Sequence, residues 1–82
     1  MSALELDDGT RATIAHSDGE RVVLDAKRAA PPGATLKLRF SGESESYDVK
    51  VRSCRRSQDE FRIEGRWVNL TREQRERVSV RR

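Results

Sequence analysis

Cysteine is almost missing from this chain, and the single thiol, Cys54, excludes an internal disulfide framework. There is also only one histidine, His16, with no cysteine beside it, so no zinc-type ligand set can be assembled from the sequence. The acidic residues Glu5, Asp7 and Asp8 lack the glycine and ligand spacing of a calcium loop. No paired carboxylates suit general acid–base work, and within Val49 to Val78 no serine or cysteine stands beside a base. Long apolar runs are absent too, so no membrane insertion is expected. The start, MSALELDDGT, is acidic and lacks the basic flank and apolar run of a signal peptide, which predicts a cytoplasmic protein. These absences point away from catalysis and resident cofactors, toward a non-enzymatic binding module.

What remains is short and patterned. With 82 residues, 34% of them hydrophobic, the chain is expected to form one domain spanning 1–82, near the size where burial only just offsets chain entropy. A charged fraction of 38% would suit disorder, but the apolar residues alternate in a way disordered chains do not. Thr10 to His16 puts Ala12, Ile14 and His16 on one face; Asp18-Gly19 is a hairpin signal, and Val22 and Leu24 return in the following strand. Pro31-Pro32-Gly33 interrupts pairing, because proline has no amide donor. Ala34, Leu36, Leu38 and Phe40 then alternate with polar residues; Ser41 to Glu45 turns the chain; Tyr47, Val49 and Val51 alternate again. A turn after Cys54 leads to a strand carrying Phe61, Ile63, Gly65 and Trp67 in one phase.

Five such strands, with a short sixth at Leu4 to Leu6, would leave exposed edges if laid flat. The expected fold is therefore all-β, a small antiparallel barrel of five or six strands. The end of the chain differs. Thr71 and Gln74 match a capping box, and Glu73 and Arg77 are spaced for an i,i+4 pair, predicting a short helix from near Thr71. A helix so short needs docking, and Leu70, Val78 and Trp67 are the apolar residues placed to provide it.

Charge is segregated. Six basic residues face nine acidic ones up to Asp48, whereas eleven face five from Val49 onward. Only one of those eleven, Lys50, is a lysine, and guanidinium groups bind phosphates and carboxylates bidentately. Arg52, Arg55, Arg56, Arg62 and Arg66 therefore form a candidate ligand- or partner-binding patch. The bland alternative is a solvated face with Lys50–Glu64 or Asp48–Arg66 cross-strand pairs, each contributing at most about 1 kcal/mol. Three neighbouring arginines also raise the question of whether Cys54 is reactive.

Pro31-Pro32-Gly33, an alternating strand, a second strand ending in basic residues, and a third running through Val68-Asn69-Leu70 into Glu73-Gln74-Arg75 together resemble the C-terminal two-thirds of a bacterial PilZ domain. The likeness spans roughly Arg28 to Val78. It implies a six-stranded barrel followed by a helix, working in cyclic di-GMP signalling as a receptor or as a protein-binding relative. PilZ receptors carry an RxxxR motif on an N-terminal arm and a DxSxxG motif on a strand. Here Arg11 has no arginine four residues away, and His16-Ser17-Asp18-Gly19 keeps a serine and a glycine at shortened spacing. Arg11, Ser17 and Gly19 are thus the residual nucleotide-motif positions, and the RxxxR string at Arg52 to Arg56 is expected to lie after the barrel strands. The resemblance then implies an adaptor with a protein partner, for which direct cyclic di-GMP binding is doubtful. The alternative is a basic barrel that binds nucleic acid, although Phe40, Tyr47, Phe61 and Trp67 all fall in apolar phase and leave little for base stacking.

Overall fold

The structure, a computed structural model, describes residues 3–80. Six antiparallel strands close into a barrel: β1 (Ala3–Leu6), β2 (Arg11–Ser17), β3 (Arg21–Ala26), β4 (Thr35–Phe40), β5 (Ser46–Ser57) and β6 (Glu60–Val68). A helix, α1 (Arg72–Val80), follows. Around the barrel the order is β1-β2-β3-β6-β5-β4, with β4 returning to β1. Up to Val51 of β5, closure removes the edges that a flat sheet of such short strands would expose. The expected barrel and terminal helix are both present, with the short first strand included. No helix among the described residues is long and apolar enough to cross a membrane.

The interior is filled by the alternating residues. Leu4, Leu6, Ile14, Val22, Leu24, Leu36, Leu38, Phe40, Tyr47, Val49, Val51 and Ile63 are all buried. Tyr47 packs edge-on against both Phe40 and Trp67, at ring-centroid distances of 5.0 and 5.9 Å. Ala30, in the Pro-Pro-Gly connection, is buried as well and closes one end. There Arg28 pairs with Asp8 at 2.6 Å and Asp7 at 3.7 Å, tying this connection to the β1–β2 turn. Hydrogen bonds from Thr10, helped by Arg28, hold the Asp8 carboxyl at about 2, below its usual value.

Two bulges shift the alternation. In β2 the register passes from Ile14 opposite Leu24 to His16 opposite Val23, so Ala15 is the extra residue. This corrects the expected facing: His16 is exposed and Ser17 is buried. In β5 the register passes from Val51 opposite Gly65 to Ser53 opposite Glu64, leaving Arg52 as the extra residue. Cys54 therefore turns inward beside Ile63 and packs, half-buried, against the core. The strand runs on to Ser57, three residues past the expected turn. Arg52 to Arg56 thus lies within a barrel strand rather than after the strands.

The hairpin turns use other means than expected. Gly19 does not adopt positive φ; instead the Asp18 carboxylate accepts the backbone N–H groups of Glu20 and Arg21, both at 2.7 Å. Those two bonds, Arg21 first, lower the Asp18 pKa. At the β5–β6 tip the positive φ falls on Gln58, at 56°.

The capping box is present. Gln74 N–H donates to Thr71 Oγ1 at 3.1 Å, and Thr71 N–H donates to Gln74 Oε1 at 3.0 Å. Arg77 pairs with Glu45 and Glu43 of the β4–β5 turn, so its salt bridges reach across to the barrel rather than along the helix to Glu73. Gln74 also donates to Glu45, at 2.8 Å. Val78 is fully buried, and its carbonyl, one of the orphan acceptors of the last turn, receives the Ser17 hydroxyl at 2.9 Å. Trp67 Nε1 in turn donates to Ser17 Oγ at 3.0 Å. Ser17 is thus the pin between β2, β6 and the helix.

Candidate binding surface

Antiparallel register decides which side chains share the outer wall. Thr35 stands opposite Lys50, Lys50 opposite Arg66, and Arg66 opposite Arg21. Three cations therefore lie side by side on β5, β6 and β3. The bulge adds Arg52, which with Arg21, Arg66, His16, Asp18 and Glu64 lines an open depression of about 530 Å³. A second depression, of about 580 Å³, adjoins it and is lined by Lys50, Arg52 and Arg66 with Val51, Trp67 and Val68. Like charges directly opposite on a sheet are destabilising, so this row has a cost that no fold requirement explains. Among the described residues Lys50, Arg52, Arg55, Arg56 and Arg66 make no ion pair.

The expected arginine patch is split by this geometry. Arg52 and Arg66 come together with Lys50 and Arg21. Arg62, opposite Arg55, instead turns its guanidinium to Asp25 on β3, with bonds of 3.0 and 3.2 Å. The Asp25 carboxylate raises the Arg62 pKa. Arg55 and Arg56 are exposed on the arm of the β5–β6 hairpin, toward its tip. The cross-strand pairs Lys50–Glu64 and Asp48–Arg66 do not form, because Glu64 faces Ser53 and Asp48 faces Val68. Arg21 was missed by sequence reasoning; its place in the row depends on β3 pairing with β6, which no local pattern announces.

The residual nucleotide-motif positions are separated. Arg11 is exposed at the start of β2, opposite Glu5, and lines a depression of about 360 Å³ with Asp25, Lys27 and Glu60. Ser17 lies at the other end of that strand, enclosed and engaged by Trp67 and Val78. Gly19 is in the turn beyond it. His16 approaches the Asp18 carboxylate at 3.9 Å on the exposed rim of the cationic depression. Among the described residues no group of histidine, cysteine and carboxylate side chains has the arrangement of a metal site. No protein-family model, curated protein or solved structure matches the chain.

Proposed function

We propose that the chain is a PilZ-like binding module that serves as a signalling adaptor of the cyclic di-GMP type, without catalysis. The observation that carries this reading is the outer wall of the barrel: the interior is filled by side chains, whereas Lys50, Arg52 and Arg66 stand outside in no ion pair among the described residues. Function then belongs to the surface, and its sign favours an anionic partner. The order of six strands followed by a capped, docked helix supports the PilZ likeness. Nucleotide gripping in that family's manner is disfavoured, because Arg11 stands away from Ser17 and the Ser17 hydroxyl is engaged inside. The protein is bacterial and cytoplasmic on this reading, and its partner is another protein.

Calorimetric titration with cyclic di-GMP near physiological salt tests it. Weak or absent heat is expected. Low-micromolar binding of one or two nucleotides that disappears in Arg11→Ala would restore receptor status. Nucleic acid remains the second reading because the Lys50–Arg66–Arg21 row matches a phosphate backbone in sign. Against it, Phe40, Tyr47 and Trp67 are consumed in the core, and only Phe61 is partly exposed.

A further inference from the structure

The barrel closes at one level and stays open above it. β4 pairs with β5 only as far as Thr35 opposite Lys50. One step further, the Pro-Pro-Gly connection covers Val51: Gly33 N–H donates to the Val51 carbonyl and Val51 N–H to that of Ala34, both at 2.8 Å. Beyond Val51, β5 continues through Arg52–Ser57 with β6 as its partner strand on one side only. On the other side, among the described residues, no backbone or side-chain group hydrogen-bonds to this stretch. Arg52, Arg55, Arg56 and Ser57 are exposed, while Ser53 and Cys54 are half-buried. An unpaired strand edge of this length is a template for another strand.

Charge selects the occupant. Arg52, Arg55 and Arg56 line this edge without carboxylate partners among the described residues. Two copies pairing edge to edge would bring both sets of arginines together, and like charges across a ladder are destabilising. An extended segment carrying carboxylates gains both the backbone ladder and charge-assisted contacts. We propose that the free edge of β5, Arg52–Ser57, takes an extended acidic segment of a partner protein as an added strand. Arg55 lies on the outer face with Ser53 and Ser57, and Arg56 in the opposite phase with Cys54, so carboxylates on either face of the incoming strand find a guanidinium. This deepens the binding-module reading and rests on it, but not on the nucleotide, whose titration is a separate measurement.

The probe is a short capped peptide in which valine alternates with glutamate, added to the full chain labelled with nitrogen-15 near physiological salt. A control peptide with the same charges is N-methylated at every residue, so that neither edge can donate. Binding of the acidic peptide is expected to slow amide exchange within Arg52–Ser57 by about tenfold or more, with the N-methylated control about tenfold weaker. The Arg55→Glu/Arg56→Glu variant, altered only at exposed positions, should lose the glutamate peptide and take its lysine counterpart. Equal binding by the N-methylated peptide would overturn the proposal, as would shifts centred on Lys50, Arg66 and Arg21 with no protection of the edge. So would protection of the same amides by self-association of the chain alone. A DNA oligomer that binds as tightly as the peptide while the edge amides still exchange freely would likewise replace strand addition with simple polyanion attraction.

Discussion

Gly65 shows how one missing side chain lets the wall carry its charges. Its inward position in β6 faces β5 so closely that a Cβ would lie 2.5 Å from the Lys50 carbonyl oxygen and 2.7 Å from Val49 Cγ1. The carbonyl oxygen cannot yield without moving the β5 backbone beside the Arg52 bulge. Gly65→Ala is therefore expected to destabilise the fold by about 2 kcal/mol, the range for overpacking, read as a lower urea midpoint with an unchanged slope. An unchanged midpoint would mean that β5 and β6 are not locked at this level. Ser17 has the opposite role, since its hydroxyl satisfies an indole and a helix carbonyl at once. Nothing in the run His16-Ser17-Asp18 signals that, because its partners are 50 and 61 residues away.

At the scale of elements, the helix is a lid for the Trp67 side of the barrel rather than an appendage. Val78 is fully buried, Leu70 packs against the core, and Gln74 is mostly covered. Truncation after Leu70 removes the Val78 contact and the Val78 carbonyl that the Ser17 hydroxyl engages, so a marked drop in melting temperature is expected. Thr71→Ala should cost less, about 1 kcal/mol, as for a lost N-cap. A truncated chain that melts cooperatively at the full-length temperature would refute this docking. The strands and the capping box were legible because each is written locally, in alternation or in a three-residue spacing. The bulges were not. Each adds one residue, Ala15 or Arg52, and reverses the facing of all that follows, so His16 and Ser17 exchange places and Cys54 turns inward. The candidate surface was legible in its residue types, but its grouping depends on β3 lying next to β6, which only closure of the barrel decides.

For the whole molecule, the net charge of +3 understates the asymmetry. The acids of the first half are largely occupied: Asp7 and Asp8 by Arg28, Asp25 by Arg62, Glu43 and Glu45 by Arg77. Among the described cations without ion pairs, Lys50, Arg52, Arg66 and Arg21 share one wall, and Arg55 and Arg56 stand on the hairpin arm above it. Salt distinguishes the two uses of such a field. If Lys50, Arg52, Arg66 and Arg21 each neutralised a phosphate of duplex DNA, counterion release would weaken binding by about a hundredfold between roughly 50 and 200 mM salt. A backbone ladder assisted by the arginines of the arm should lose far less over the same interval. Fluorescence polarisation of labelled RNA and DNA oligomers at two salt concentrations, with an Arg52→Glu/Arg66→Glu variant and the Arg55→Glu/Arg56→Glu variant alongside, makes the comparison. The adaptor reading expects negligible binding by all three proteins. Tight binding at low salt, abolished by Arg52→Glu/Arg66→Glu and spared by the arm variant, would instead place a nucleic-acid backbone along the row on β5, β6 and β3.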